Sequence, residues 1–197
     1  MWKWIVGGAL VIVVLLAATC WIGYKKLTSG GDSARVAIAA TPDRVFTSLA
    51  DPDSMAVWMA AGSKVAASHH GMLAVGDTLH VETGTPGRSH QQYTWIVKDV
   101  DPGKLLALDM RADTSGNVFA TRRDSLVAIG DSTIITSTIA SPMIESMRTR
   151  RGDTGGKVGG ALLNFGSKVL ISAFRVVSEH ELKRLKARLE GQPMPAN

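Results

Sequence analysis

The stretch from Arg35 to Met59 constrains the fold more than any other part of the sequence. It begins with an alternating segment, Val36–Ala40, which predicts a strand. Thr41 follows as a helix N-cap, and Pro42 suits the first helical position because no amide donor is needed there. The pattern therefore predicts a strand that leads directly into a helix.

Two short helices are predicted after this strand. In the first, Val45, Phe46 and Leu49 recur at helical spacing. Asp51-Pro52 ends it, since a residue before proline disfavours the helical conformation, and the second helix runs over Asp53–Met59. Neither helix carries a set of catalytic groups. This part of the chain is therefore predicted to hold a molecule rather than to cleave one.

The N-terminal residues 1–26 are predicted to form a transmembrane anchor. No charged side chain occurs from Trp4 to Tyr24, and at about 1.5 Å per residue this stretch spans roughly 31 Å, the thickness of a hydrocarbon core. Trp4 at one end and Trp21 with Tyr24 at the other form the interfacial aromatic belts. A cleaved signal peptide is the alternative, but its apolar region would be shorter, about 7 to 15 residues.

Charge and composition set the expected domain organisation. The 197-residue chain has a formal net charge of +5, and because much of the excess lies near the termini, it favours an anionic membrane surface over nucleic acid. The basic residues after the anchor slightly favour a single-pass membrane protein with a cytoplasmic domain. Residues 27–33 are a polar linker, residues 34–190 are one folded domain, and residues 191–197 are a disordered tail.

Beyond Met59 the sequence predicts an antiparallel meander. Short β segments alternate with turn residues at regular spacing. Together with the first strand, six further strands make a seven-stranded sheet. They are predicted at Ser63–His70, Asp77–Thr83, Gln92–Asp101, Leu105–Ala112, Val118–Ile129 and Ser132–Ala140.

One long helix is predicted from Val158 to Leu189. Polar residues including Ser172 form a stripe along it, whereas Val176 and Val177 belong to a broad apolar face. This face has to be buried, and the concave side of the sheet is the one large surface that can receive it.

The order of these elements, with the motifs Ile38-x-Ala40-x-Pro42-x-x-Val45-Phe46, Leu49-x-Asp51-Pro52 and Trp58, resembles the START/polyketide-cyclase superfamily (SRPBCC, helix-grip fold, birch-pollen-allergen-like). The resemblance covers roughly Ala34 to Leu189. It implies an α+β fold in which a curved seven-stranded antiparallel sheet wraps a long C-terminal helix, with two short helices after the first strand. It also implies a cavity between sheet and helix that often holds lipids, polyketides or other apolar molecules.

Strand alternation and helical spacing predict which residues face that cavity. They share an apolar character with few polar groups, which is the usual lining of a small-molecule pocket. The alternative is that they fill a solid core. The predicted ligand-binding residues are Trp58, Met59, Leu79, Val81, Tyr93, Trp95, Val97, Leu106, Leu108, Phe165, Val169 and Phe174, with Met110 on the same strand face.

The sequence predicts no catalytic residues, no metal site and no cofactor. Five histidines are present, at positions 69, 70, 80, 90 and 180, and none has the helical spacing beside a glutamate that a zinc protease needs. His80 alternates with Leu79 and Val81, which places it on the solvent face.

Three functions follow from this sequence. The leading one is a membrane-anchored binding or carrier protein for an apolar small molecule or lipid, with no nucleic-acid partner. One alternative is an enzyme of the polyketide cyclase or dehydratase kind, although no convergent acid and base are evident. The other is a regulatory protein-interaction module. The basic residues Arg148, Arg150 and Arg151 could form a pocket lid, a headgroup contact or an ordinary solvated loop. The oligomeric state is left open.

Overall fold

The computed structural model describes residues 33–59, 63–68, 70–83, 91–112, 116–142 and 157–195. These residues form an α+β fold built from one antiparallel sheet and three helices. The helices are α1 (Pro42–Ala50), α2 (Pro52–Trp58) and α3 (Lys157–Glu190). The strands are β1 (Ser33–Ile38), β2 (Lys64–Ala67), β3 (Thr78–Thr83), β4 (Gln91–Asp101), β5 (Leu105–Ala112), β6 (Val118–Ile129) and β7 (Ser132–Ala140).

The seven strands have the order β1-β7-β6-β5-β4-β3-β2. Strands β2 to β7 therefore form the predicted meander, in which each strand pairs with the next along the chain. Strand β1 closes the order by pairing antiparallel to β7, with Ser33 opposite Thr138 and Ile38 opposite Thr133. The bounds of β5, β6 and β7 are as predicted from the sequence.

Two irregularities bend the sheet. The register shifts between Val97 and Asp99 where β4 pairs with β5, and between Met110 and Arg111 where β5 pairs with β6. An extra residue on one strand of a pair kinks that strand and increases its twist. The sheet is curved, and α3 lies along β1 and β7 on its concave side.

The caps of the two short helices differ from the sequence prediction. Thr41 occupies the N-cap of α1, but its side chain makes no capping hydrogen bond. Asp51 instead caps α2, where its carboxylate accepts the Ser54 amide at 3.0 Å. Helix α2 also begins one residue early, at Pro52, and Met59 is its C-cap. Proline fits the first helical position for the reason given for Pro42.

Strand β1 ends before the two alanines that were predicted to belong to it. The Ala39 amide donates to Oε1 of Glu190 at 2.8 Å, and the Ala40 amide donates to the carbonyl of Ile38 at 2.9 Å. These hydrogen bonds take both residues out of the ladder with β7. Ser33, which was assigned to the linker, pairs with Thr138 instead.

Strands β2 and β3 are shorter than predicted, and β4 begins one residue earlier. Gly71, which follows the predicted end of β2, has a φ of +104°, a turn conformation that is natural only for glycine. Asp77 belongs to the turn before β3, because its carboxylate accepts the Ala74 amide at 2.6 Å. His80 is exposed, which confirms its predicted place on the solvent face.

The C-terminal half of α3 packs on the core through Leu182, Leu185 and Leu189, all buried. The predicted stripe is wrong at Ser172, which is buried, and the predicted apolar face is wrong at Val176, which is 46% exposed. Lys183 of the stripe is exposed as predicted. The burial of Glu181 explains part of this difference in which helix positions face the interior, because its carboxylate pairs with Arg122 of β6.

Gly191, with a φ of +66°, ends α3. The Gln192 amide donates back to the carbonyl of Ala187 at 2.8 Å, which is the main hydrogen bond of a Schellman cap. Both residues therefore belong to the helix end, although the sequence assigned them to the tail.

Several predicted features lie outside the described residues. These are the anchor over residues 1–26 with Trp4, Trp21 and Tyr24, the linker up to residue 32, and the basic cluster of Arg148, Arg150 and Arg151. Within the described ranges, no helix combines the length and apolar character that a membrane crossing requires.

Candidate ligand-binding cavity

A cavity of about 290 Å³ lies between the concave face of the sheet and α3. Its wall is mostly apolar and aromatic, with a small polar group at Arg122 and Glu181. The described residues that line it are Met59, Ser63, Thr83, Tyr93, Trp95, Met110, Phe119, Arg122, Ile139, Phe174, Val177, Ser178 and Glu181.

Three aromatic rings on different elements form one side of the cavity. Phe119 of β6 lies between the other two, with its ring centroid 5.5 Å from that of Tyr93 and 6.3 Å from that of Phe174 on α3. Both separations fall in the range favoured by aromatic pairs, about 4.5 to 7 Å. The contacts therefore join the sheet to the helix around the cavity.

The sheet register places the remaining wall residues. Trp95 of β4 is opposite Met110 of β5, and Met110 is opposite Ala120 of β6. Residues that are directly opposite in a sheet point to the same face. One row thus crosses three strands on the concave side of the sheet.

Arg122 is the centre of a buried ion-pair cluster. Its Nε donates to both oxygens of Asp124, at 2.9 and 3.2 Å, and its Nη1 donates to Oε2 of Glu181 at 2.7 Å. Their exposed fractions are 2% for Arg122, 1% for Asp124 and 4% for Glu181. The cluster therefore links β6 to α3 through the interior of the domain.

The surroundings keep the Arg122 guanidinium charged. Burial by itself would lower the pKa of Arg122, but the charges of Asp124 and Glu181 and the hydrogen bonds to them raise it above its ordinary value. The guanidinium carbon also lies 5.8 Å from the centre of the Trp58 ring, a cation–π distance. Trp58 is itself fixed, because its indole N–H donates to the carbonyl of Ser48 at 2.9 Å.

Two buried donors at the cavity wall have no hydrogen-bond partner in the part of the chain that the structure describes. They are Nη2 of Arg122 and Nε1 of Trp95. Buried polar groups in folded proteins are nearly always paired, so each exception needs a physical explanation. Both groups can only donate.

The structure places the predicted wall residues in two environments. Met59, Tyr93, Trp95, Met110 and Phe174 line the cavity together. The others pack into solid core with at most 1% exposure, namely Trp58, Leu79, Val81, Val97, Leu106 and Leu108. The side chains of Phe165 and Val169 lie outside those described.

The polar cluster was not predicted, although the sequence contains a signal for it. Buried Ala120, Arg122, Asp124 and Leu126 alternate along β6, so the opposite charges stand two residues apart on one strand face. Glu181 likewise falls beside Leu182, at helical spacing from Leu185. Charged residues inside an apolar pattern indicate an internal ion pair, since isolated charges are rarely buried.

A family of known sequences matches the region of the chain that forms the sheet and the helices around the cavity. The sequence model for the family described as "Polyketide cyclase / dehydrase and lipid transport" matches residues 33–190. The chain belongs to this family. Its match spans β1 to the last residue of α3, so it includes every element around the cavity.

Solved structures share the fold at low sequence identity. The di-domain ARO/CYC StfQ from the steffimycin biosynthetic pathway has a TM-score of 0.60 at 13% identity, over 81% of this chain and 50% of that one. A protein from Staphylococcus epidermidis has a TM-score of 0.57 at 12% identity, over 84% and 92%. One from Arthrobacter aurescens has a TM-score of 0.56 at 16% identity, over 84% and 87%.

A search of curated proteins finds no sequence that matches this member of the family. The structural likenesses show the fold and the placement of a sheet against a long helix. The chemistry of the cavity therefore has to be argued from its own residues.

Proposed function

We propose that this chain binds or carries an apolar small molecule or lipid in the cavity between the sheet and α3. The observation that carries the proposal is the cavity wall, where aromatic and aliphatic side chains predominate and Arg122 and Glu181 form one polar patch. A concave apolar wall with few polar groups is the usual form of a small-molecule site. The lipid-transport part of the family description supports the same function.

Burial of apolar surface supplies the driving force for such binding. Each 100 Å² of ligand surface removed from water contributes about 2.5 kcal/mol. The cavity of about 290 Å³ compares with the lower end of the range of ligand pockets, about 300 to 1,000 Å³. A single acyl or small ring compound is therefore a better match than a whole phospholipid.

We further propose that residues 1–26 anchor the domain to a membrane as a single-pass protein, with the domain on the cytoplasmic side. The support is the uncharged stretch from Trp4 to Tyr24 with aromatic residues at both ends. An anchor of this kind would keep the cavity near the bilayer that stores an apolar ligand. Loss of residues 1–26 should release the domain from washed membranes. If the truncated domain stays with the membranes, the anchor proposal is contradicted, whereas the proposal of a ligand in the cavity is unaffected.

The binding function is tested by native mass spectrometry of the full chain after gentle extraction from membranes. We expect a mass increment from a co-purified apolar molecule. In Ser178→Phe the increment should be lost, because Ser178 is buried on α3 at the cavity wall and a phenyl ring would occupy the ligand volume.

Val127→Phe is the matched control, since Val127 is 59% exposed and points away from the cavity. It adds the same side chain and should leave the increment unchanged. An increment that survives in Ser178→Phe, or one that both variants lose, would place the bound molecule elsewhere.

A second candidate function is an enzyme of the cyclase or dehydratase kind. The observation that favours it is that Tyr93 and Glu181 both line the cavity, so two groups able to move protons face the same space. A carrier returns its extracted ligand chemically unchanged after incubation, whereas an enzyme converts it. Chromatography of the ligand before and after incubation separates the two.

A further inference from the structure

We propose that the ligand is electrically neutral and offers a hydrogen-bond acceptor, such as a carbonyl oxygen, to Arg122 and Trp95, and that the cavity discriminates against free carboxylates. This inference rests on the proposed binding function and adds the chemical class of the ligand.

The requirement for an acceptor follows from the unpaired donors. Nη2 of Arg122 and Nε1 of Trp95 are buried without a hydrogen-bond partner among the described residues, and both side chains line the cavity. A buried donor without a partner is unfavourable, and a ligand acceptor would relieve that cost. A ligand without any acceptor would leave both donors unpaired in the complex.

The requirement for neutrality follows from the charges. One guanidinium, that of Arg122, pairs with two carboxylates, those of Asp124 and Glu181. The cluster therefore has a formal net negative charge inside the domain. Of the described residues that line the cavity, only Arg122 and Glu181 are charged. A ligand carboxylate beside Glu181 would be repelled strongly, because water screens little at a buried site.

The two donors also define where the acceptor lies. Trp95 is on β4 and Arg122 is on β6, and both face the concave side, opposite Met110 and Leu108 of the intervening β5. The polar end of the ligand is therefore expected over β5. Its apolar remainder would contact the rings of Phe119 and Phe174, which line the same cavity.

Three probes with the same ten-carbon skeleton test the inference: methyl octyl ketone, n-decane and decanoic acid at neutral pH. Binding is measured on the full chain in lipid nanodiscs, by headspace partitioning for the volatile probes and equilibrium dialysis for the acid, with empty nanodiscs as background. We expect the ketone to bind at least about tenfold more tightly than decanoate, the scale of one lost charge or hydrogen-bond interaction.

Two variants separate the donor argument from the charge argument. Trp95→Phe removes the indole N–H and should weaken ketone binding about tenfold more than decane binding, which corrects for the change in shape. Glu181→Gln neutralises the cluster but keeps an acceptor for Arg122. It should strengthen decanoate binding about tenfold and change ketone binding less than about threefold.

Equal affinities for ketone and decanoate in the unmodified chain would overturn the inference. So would a Trp95→Phe variant that loses affinity for ketone and decane in the same proportion, or a Glu181→Gln variant with unchanged decanoate affinity. If none of the three probes binds, the proposed binding function itself is overturned, which is a different result from wrong ligand chemistry.

Discussion

Arg122 connects strand β6 with helices α3 and α2 in the interior of the domain. Its guanidinium pairs with Asp124 on the same strand and with Glu181 on α3, and it lies over the ring of Trp58 at the end of α2. A charge this deeply buried is stable only while its partners remain. Substitutions in the cluster should therefore show strong coupling.

Arg122→Met should destabilise the fold by about 3 to 5 kcal/mol, because it leaves Asp124 and Glu181 buried without their cation. The measurement is the free energy of unfolding from urea denaturation of the full chain. A loss of unfolding free energy below about 1 kcal/mol would show that the two carboxylates are not buried in solution as they are in the structure.

The triple variant Arg122→Met, Asp124→Leu and Glu181→Leu is the control for that substitution. Replacing a whole buried ion-pair cluster with apolar residues of similar volume is often neutral or stabilising. We expect it to recover most of the stability lost in the single variant. If the triple variant were less stable than the single variant Arg122→Met, the ion-pair cluster would be contributing net stability to the fold.

Strand alternation predicts which residues point into the domain, but not which of them line the cavity. Tyr93, Trp95 and Met110 follow from strand alternation alone, because each strand has a fixed parity. Alternation does not say which inward residues meet empty space, so Leu79 and Leu108 were predicted on the same grounds and yet lie in solid core. That difference depends on how the helix covers the sheet, which local patterns do not contain.

At the scale of elements, the two short helices differ in how their first turns are stabilised. Asp51 makes the capping hydrogen bond of α2, whereas Thr41 makes none for α1. Asp51→Ala should therefore cost about 1 kcal/mol of stability, the usual value for a lost N-cap.

Thr41→Ala serves as the matched control and should cost less than about 0.5 kcal/mol, since no cap bond is lost. Urea midpoints of the two variants give the comparison. Equal losses would mean that the Asp51 carboxylate does not cap α2 in solution.

The C-terminal end of α3 is attached to β1 by a carboxylate. The hydrogen bond from the Ala39 amide, supported by Lys186, lowers the pKa of Glu190 below its ordinary value. The charged form therefore stabilises the fold above the ordinary pKa of about 4.3, and this contribution is lost as pH falls through the lowered pKa of the folded state.

Glu190→Gln should cost about 0.5 to 1 kcal/mol at neutral pH, where the charged hydrogen bond is present. The difference from the unmodified chain should be smaller at an acidic pH below the lowered pKa of Glu190 in the folded state, because the carboxyl is then protonated in both states. Unfolding free energies at the two pH values provide the test. A difference that is the same at both would assign the effect to packing rather than to charge.

At the scale of the whole molecule, the element order was the most predictable property. Turn residues and period-two segments predicted the seven strands, and β5, β6 and β7 have the predicted bounds. Errors occur where side chains from distant elements decide the outcome. Glu190 ends β1 through Ala39, and Arg122 draws Glu181 into the interior; both contacts join residues far apart in the chain.

The central claim is that an apolar ligand occupies the cavity between sheet and α3. Methionine methyl groups report on it directly, since Met59 and Met110 line the cavity. Met72 and Met194 are exposed, at 44% and 37%, and neither is among the described residues that line the cavity. In isotope-labelled chain titrated with methyl octyl ketone, we predict that the NMR signals of Met59 and Met110 shift while those of Met72 and Met194 do not. Shifts confined to Met72 or Met194, or no shift at any of the four, would contradict the claim.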